Sequence, residues 1–341
     1  MPSQRDVSDA VIYFLYGSGE GKLIIDCHVH IFESVNVYSK EEWNRRCQWR
    51  RESLGDKEFE KWEAEYSGSV EALIRDMDEA GIDKSVVFAS GPFKGEANPK
   101  VSVWECNEYV ADAQRRYPER IIGFVRLDLS RPINDSLQLL ETGVTKWGLK
   151  GVKIIPDRPV GDESCRKVMD RINDLDIPLL LHMGGGVTPL PFYYEHGNPE
   201  VLSALIIRYP RMRIVAAHCA SGYDDLFTEI VSGRRNGKIY GDISAWQNDC
   251  AQSNWHFILK MRHFLDRIPD KIIMGSDWPG LNDPSVTWGP FGGLSIKEWF
   301  DAVRNLKIPD RVLELGWGMR NFSNEEKNKI LGENAKKWLG I

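Results

Sequence analysis

Short apolar runs alternate with longer amphipathic stretches along most of the chain. The runs, rich in Val, Ile and Leu, lie at 23–28, 85–89, 121–125, 151–155, 178–182, 214–218, 239–244 and 272–275. Each has the length of a buried strand, and most are followed by enough residues for one helix and two loops. Continuous apolar strands that alternate with helices predict a parallel sheet covered by helices. Eight such units predict a closed (β/α)8 TIM-like barrel.

Several helices are indicated by their periodicity and their end signals. Ser323 and Glu326 have the spacing of a capping box at the start of the last helix. Asn198 followed by Pro199 predicts a helix start as well. Apolar residues at helical spacing precede the helix-ending Gly81, namely Val70, Leu73, Ile74, Met77 and Ala80.

The first connection is longer than the others. The first strand starts 62 residues before the second, because residues 33–68 are additional, charged and rich in tryptophan, with Trp43, Trp49 and Trp62. We expect a helical insertion within one barrel domain spanning 1–341. Since it follows a strand, it rises from the face where such barrels hold their active sites, which indicates a lid or a subunit contact. A tolerated loop insertion is the alternative.

Composition excludes several classes of protein. Apolar residues make up 42% of the chain, and the net charge of −6 with dispersed Lys and Arg argues against nucleic acid. No apolar run reaches the roughly 18 residues of a membrane helix, and the run at 11–16 lacks a signal-peptide cleavage pattern. The six cysteines are scattered without a CxxC pair, which is typical of a reducing compartment. We therefore expect a cytoplasmic enzyme with a small-molecule substrate and no membrane partner.

The candidate chemistry lies at the ends of the predicted strands. Four of the seven histidines are there: His28 and His30 on the first strand, His182 on the fifth and His218 on the sixth. Alternate residues of a strand share a face, so His28 and His30 project together into the barrel mouth. Asp277 follows the eighth strand, which neighbours the first once the barrel closes.

Imidazoles and a carboxylate that converge in this way favour a divalent metal site. Zinc prefers nitrogen and carboxylate ligands and, in catalytic sites, keeps an open position for water or substrate. A hydrogen-bonded core histidine is the ordinary alternative for any one strand histidine. Four histidines and an aspartate on one face of the barrel are better explained by one shared metal site.

The same residues resemble a known family. The stretch from Ile25 to His30, Leu181-His182, Ala217-His218 and Gly275-Ser276-Asp277-Trp278-Pro279 are similar to the signature of the amidohydrolase superfamily. The ending from Ile330 to Ala335 resembles the branch that includes aminocarboxymuconate-semialdehyde decarboxylase and related metal-dependent hydrolases. The resemblance runs from about residue 23 to the end. It implies a distorted barrel and one divalent metal, usually zinc and sometimes manganese.

The resemblance also implies roles for these residues. His28, His30, His182 and Asp277 correspond to the metal ligands, and His218 to a histidine that acts on substrate or water. A metal lowers the pKa of a bound water from about 15.7 toward 7. Asp277 would take a proton from that water, and His218 would polarise a carbonyl or protonate a leaving group. In a decarboxylation, His218 would instead protonate carbon.

Lys153 on the fourth strand has three interpretations. In two-metal relatives a lysine on this strand is carboxylated and bridges the ions, whereas the branch resembled here often has a similar Gly-Val-Lys stretch without that modification. Contact with a substrate anion and an ordinary ion pair within the barrel are the others. Trp246 and Trp278, which follow the seventh and eighth strands, are candidates to contact an aromatic substrate, and core packing is the alternative for both.

Three functions remain open at the level of sequence. The first is a metal-dependent hydrolase that cleaves an amide, cyclic amide or lactone of a small substrate. A tryptophan after Asp277 favours it slightly, because related decarboxylases often have tyrosine there. The second is a nonoxidative decarboxylase of an aromatic or unsaturated acid, and the third a barrel that binds without catalysis. Many relatives are dimers, so a homodimer is expected by analogy.

Overall fold

A computed structural model describes residues 22–32, 37–91, 99–156, 158–184, 196–233, 237–280 and 294–341. The apolar run at 11–16 and residues 33–36 of the predicted insertion lie outside the described residues. Over the described residues no helix is long and apolar enough to cross a membrane. The six cysteines, all among the described residues, form no disulfide bonds.

The eight predicted strands form one parallel sheet in sequence order, β1 to β8. Their bounds are β1 (Ile25–Ile31), β2 (Lys84–Ala89), β3 (Ile121–Leu127), β4 (Gly151–Ile154), β5 (Leu179–Leu181), β6 (Ile214–Ala216), β7 (Ile239–Asp242) and β8 (Ile272–Ile273). The last strand returns to the first through backbone hydrogen bonds from Cys27 N to Met274 O (3.0 Å) and from His30 N to Trp278 O (2.8 Å). The prediction of a (β/α)8 barrel is confirmed.

Helices occupy the connections between the strands. Their bounds are α1 (Lys40–Leu54), α2 (Asp56–Glu65), α3 (Val70–Ala80), α4 (Val103–Arg116), α5 (Ile133–Glu141), α6 (Arg166–Asp174), α7 (Glu200–Arg208), α8 (Asp224–Gly233), α9 (Gln247–Gln252), α10 (Asn254–Arg267), α11 (Ile296–Arg304), α12 (Asp310–Leu313), α13 (Asn324–Asn328) and α14 (Asn334–Leu339). Two π-helical segments, Thr142–Lys146 and Lys329–Glu333, continue α5 and join α13 to α14. The first connection therefore contains the helices α1 and α2 before α3.

The strands alternate between two apolar layers. Residues such as Val87 and Ala89 pack outward against the helices, whereas Val86 and Phe88 belong to an inner cluster that fills the barrel. Trp338 of α14 joins this inner cluster, and its indole donates to the carbonyl of Arg213, just before β6 (3.3 Å). The last helix therefore closes the amino-terminal end of the barrel, and the carboxyl end remains for the site.

A bulge in β1 decides which of its side chains face inward. Ile25 and Cys27 belong to the inner cluster, and the register with β2 shifts between Asp26 and Val29. The shift turns His28 inward too, where its ring meets Phe88 at 5.2 Å between centroids. Simple alternation, which would direct Cys27 away from a face shared by His28 and His30, therefore fails at this point.

Candidate metal and catalytic site

The buried carboxylate of Asp26 fastens the bulge of β1 to the segment after β8. It accepts hydrogen bonds from His28 N (3.2 Å) and Ser276 N (3.0 Å). Asp277 N in turn donates to the carbonyl of His28 (2.8 Å). These bonds place Asp277 directly beside the two histidines of β1.

One carboxylate oxygen of Asp277 meets both histidines. Its Oδ1 lies 3.0 Å from Nε2 of His30 and 3.4 Å from Nε2 of His28. His28 is fully buried, whereas the side chains of His30 and Asp277 keep 16% and 20% of their exposure. The three groups therefore converge at a point that a small molecule can reach from the barrel mouth.

The protonation states of His28 and Asp277 suit a bound cation. Burial, together with the nearby Lys153, lowers the pKa of His28 to about 3, so its imidazole is neutral. Burial alone would raise the pKa of Asp277, but His28 and His30 outweigh it and hold that pKa well below its usual range. A neutral His28 and an ionised Asp277, with the second imidazole of His30 beside them, are a donor set suited to a zinc-like or manganese-like ion.

Two groups of three among the described residues bring all their ligand atoms within 4.8 Å of one another. The first is His28, His30 and Asp277, and the second is His28, His218 and Asp242. His182 belongs to neither group. It meets the site through His218, whose Nε2 lies 3.3 Å from Nδ1 of His182.

Lys153 lies inside the site. Its side chain is fully buried, and its Nζ is 3.2 Å from Nε2 of His28 and 4.8 Å from the centre of the Phe88 ring. Burial lowers the pKa of Lys153 to about 7. In its protonated form the lysine places a positive charge 3.2 Å from Nε2 of His28.

Both candidate tryptophans are buried, with 1% and 3% exposure for Trp246 and Trp278. The indole of Trp246 donates to the carbonyl of His218 (3.0 Å), and that of Trp278 donates to Asp76 of α3 (2.8 Å). Trp246 also packs on Phe264 of α10. These contacts support neighbouring backbone and helices, as the packing alternative expects.

Left-handed backbone occurs at two of the predicted site residues, His218 and Asp277. His218, Cys219 and Ala220 have φ values of 58°, 49° and 55°, and Asp277 has a φ of 55°. Each non-glycine residue in this region costs of order 1–3 kcal/mol, and such residues cluster at functional sites. The backbone at His218 and Asp277 is therefore strained, at a cost to the stability of the fold.

Two polar residues that contact the predicted site histidines, Asp242 and Ser244, were not predicted from the sequence. Asp242 ends β7, and Ser244 lies two residues further; both are fully buried. Oδ2 of Asp242 is 3.0 Å from Nδ1 of His28, and Oγ of Ser244 is 2.9 Å from Nδ1 of His218. The signal was available, because a carboxylate and a hydroxyl alternate at the end of an apolar strand just as His28 and His30 do.

Comparisons with known proteins agree with this architecture. The family model described as amidohydrolase matches residues 25–341. No curated protein matches.

Solved structures with the same fold share little sequence with this chain. The 5-carboxyvanillate decarboxylase of Sphingomonas paucimobilis has 13% identity and a TM-score of 0.61, over 94% of this chain and 100% of that one. The 4-oxalomesaconate hydratase of Rhodopseudomonas palustris has 18% identity and a TM-score of 0.59, over 93% and 96%. A dihydroxybenzoic acid decarboxylase of Polaromonas sp. JS666 with bound manganese has 15% identity and a TM-score of 0.60, over 94% and 97%. At these identities the likeness shows the fold.

The family match covers nearly the whole barrel, including the β1 histidines and Asp277. One of the structures with this fold contains bound manganese, and three side chains at the barrel mouth, His28, His30 and Asp277, could hold a metal ion. The chain belongs to the amidohydrolase family.

Proposed function

We propose that this protein is a metal-dependent hydrolase that cleaves an amide, cyclic amide or lactone bond of a small carboxylated substrate. The observation that carries the proposal is the convergence of Asp277 with His28 and His30 within 3.4 Å at the carboxyl end of the barrel. In this fold that end holds the active site.

Four side chains would hold the metal, which we propose to be one zinc or manganese ion. They are His28, His30 and Asp277, with His182 as a fourth that approaches from β5. When bound, the cation supplies Lewis acidity, which lowers the pKa of water and polarises a carbonyl. Lys153 is close enough to act on a substrate anion, and a carboxylated Lys153 that bridges two ions is the alternative.

The protein's own groups divide the proton transfers. Asp277 is ionised, so it can accept a proton from the attacking water. The Nδ1 atom of His218 lies 3.1 Å from the carbonyl of Ser244 and donates to it, because a carbonyl only accepts. The Nε2 atom of His218 therefore carries the lone pair and can take up a proton and pass it to the leaving group.

Decarboxylation is a second candidate because of the buried cation. Lys153 would pair with a carboxylate above Phe88, and His218 would protonate the carbon from which carbon dioxide leaves. Of the three structures compared above, two are named decarboxylases of aromatic acids. The third is named a hydratase, and hydration consumes water.

Isotope labelling separates the two reactions. With a substrate found by screening carboxylated lactones, amides and aromatic acids, hydrolysis in H₂¹⁸O places one ¹⁸O in the product. Decarboxylation in D₂O instead places deuterium on carbon and releases carbon dioxide. Labelled product oxygen without carbon dioxide supports the hydrolase; deuterated carbon with carbon dioxide supports the lyase.

Metal content tests the roles of the site residues. His28→Ala and Asp277→Ala should each lose the bound ion and the activity, because they remove ligands. His218→Ala should retain the ion and lose about 10²- to 10⁴-fold in turnover, the usual effect of removing a general acid or base. Atomic absorption on each purified variant gives the stoichiometry. An Asp277→Ala protein with a full complement of metal would contradict the assignment.

A further inference from the structure

We propose that Asp242 and Ser244 are positioning residues that fix the tautomers of His28 and His218 together. These two residues, at the end of β7 and just after it, would thereby couple the metal-binding imidazole to the proton-transferring one. The predicted effect on metal affinity rests on the proposed function. The tautomers themselves do not, because they are a property of the metal-free chain.

The carboxylate of Asp242 uses its two oxygens for different tasks. Oδ1 accepts hydrogen bonds from the backbone N–H groups of His218 and Ser244, both at 3.0 Å, and from the hydroxyl of Ser244. Oδ2 is 3.0 Å from Nδ1 of His28. Since an ionised carboxylate only accepts, Nδ1 of His28 carries the proton. Its lone pair is then on Nε2, the atom that faces Asp277 and Lys153.

The same two residues hold His218. The carbonyl and the hydroxyl of Ser244 lie 3.1 and 2.9 Å from Nδ1 of His218, which puts the proton there. The bond from His218 N to Asp242 also anchors the start of the left-handed turn at 218–220. Ser244 Oγ is shared, because it lies 3.0 Å from Nδ1 of His28 as well. One small polar cluster thus orients both rings.

The substitution Asp242→Asn has a predictable orientation. Two backbone N–H groups point at Oδ1, and they require the amide oxygen there, because an NH₂ group would meet donors only. The NH₂ group then faces Nδ1 of His28 and demands an acceptor from it. The proton of His28 must therefore move to Nε2, and the lone pair for the metal is lost without any change in side-chain size.

Histidine nitrogen resonances in the metal-free protein test this directly. In ¹⁵N-histidine-labelled wild type we expect His28 with a protonated Nδ1 and a bare Nε2, assigned by comparison with His28→Gln. Asp242→Asn should exchange the two signals of His28. Unchanged signals in a folded Asp242→Asn protein would overturn the proposal, whatever the protein's reaction is.

Metal affinity tests the consequence. Co²⁺ competed against a chromophoric chelator should bind Asp242→Asn about 10- to 100-fold more weakly, the usual effect of losing such a partner. Ser244→Ala, which keeps the bond between Asp242 and His28, should lose less. An equal or larger loss in Ser244→Ala would overturn the assignment to Asp242. A wild type that binds no Co²⁺ would refute the proposed function and leave the nitrogen signals to decide the inference.

Glu326→Gln is a matched control for the change from buried carboxylate to amide. Glu326 is buried and pairs with Arg262 (2.7 Å) and Arg320 (3.0 Å), away from the histidines. The Glu326→Gln protein should be less stable than the wild type, whereas its His28 signals and its Co²⁺ affinity should match the wild type. Equal losses of affinity in Glu326→Gln and Asp242→Asn would show a general effect of destabilisation and overturn the positioning role.

Discussion

At the scale of single residues, the site is built from groups that stabilise the fold poorly. Lys153 is a fully buried cation, and its Nζ lies 3.2 Å from an imidazole rather than against a dedicated carboxylate. The carboxylates of Asp242 and Asp277 favour its charged form but do not outweigh the desolvation cost, which an apolar side chain of similar volume avoids. Its presence at the centre of the barrel is therefore better explained by what it binds than by what it stabilises.

Lys153→Met should consequently make the metal-free protein more stable. The expected gain is about 1–4 kcal/mol at pH 6, the range seen when buried ions are replaced by apolar residues. The pKa of Lys153 is lowered to about 7 in the folded state. Between pH 7 and about 10.5 the folded lysine is therefore mostly neutral, whereas the unfolded lysine keeps its proton. The wild type thus gains stability over that range, and the advantage of the variant should shrink.

Urea unfolding at pH 6 and at pH 9.5, with chelator present, measures the effect. Lys153→Arg, which keeps the charge, is the control and should show no gain at either pH. A Lys153→Met protein less stable than the wild type at pH 6 would mean that the lysine is a well-paired structural residue.

The residues of the site were predictable to different degrees. His28, His30 and Asp277 could be placed together because strand alternation and barrel closure are both visible in sequence. Asp242 could not be given its partner, because its bond to His28 joins β7 to β1, and these strands are not neighbours in the sheet. The bulge at 26–29 was not predictable either, since it depends on the bonds that Asp26 makes to two separate segments.

At the scale of secondary-structure elements, the last helix shows how local signals and packing combine. The capping box of Ser323 and Glu326 is present at its start, as predicted. The helix then widens into a π segment at Lys329–Glu333, which periodicity did not indicate. Met274 N, just after β8, donates to the carbonyl of Ile330 within this segment (2.9 Å). The widened turn thus frees a carbonyl for the barrel seam, a tertiary effect that no local pattern encodes.

Gly332 allows the segment before β1 to pack directly against that widened turn. A Cβ at this position would lie 1.8 Å from the carbonyl oxygen of Leu23, which is backbone and cannot swing aside. We therefore expect Gly332→Ala to destabilise the protein by about 3 kcal/mol or more, as severe overpacking does. The loss should appear as a lower urea midpoint.

Gly233 is the matched control, because it also lies in a helix but a Cβ there would meet nothing within 4 Å. Gly233→Ala should be neutral or stabilising by about 0.5–1 kcal/mol. Equal effects of the two substitutions would show that the contact with Leu23 does not limit the fold.

At the scale of the whole molecule, the seam between β8 and β1 is the structurally special part of the barrel. β8 has only two residues, and the seam is joined by individual backbone bonds such as those from Cys27 N and His30 N. The overall barrel could be read from the sequence because eight apolar runs recur. This seam could not, since its bonds depend on the bulge and on the turn at Asp277.

The proposed metal would tie this seam together, because His28 and His30 come from β1 and Asp277 from beyond β8. At a free metal concentration of 100 times the dissociation constant, the free energy of unfolding should rise by about 2.7 kcal/mol. Hydrogen exchange should then slow first at the seam amides of Cys27, His30 and Asp277, since local opening there separates the ligands.

The pairing of β2 with β3 is the internal reference for that exchange experiment, because no proposed ligand lies in either strand or directly after it. Its amides should gain protection only by as much as the free energy of global unfolding rises. The seam amides should gain more wherever they exchange through local opening in the metal-free protein. Asp277→Ala should show neither effect. A larger gain of protection at β2 and β3 than at the seam would place the cation away from the seam. An unchanged urea midpoint at saturating zinc and manganese would argue against a bound metal altogether.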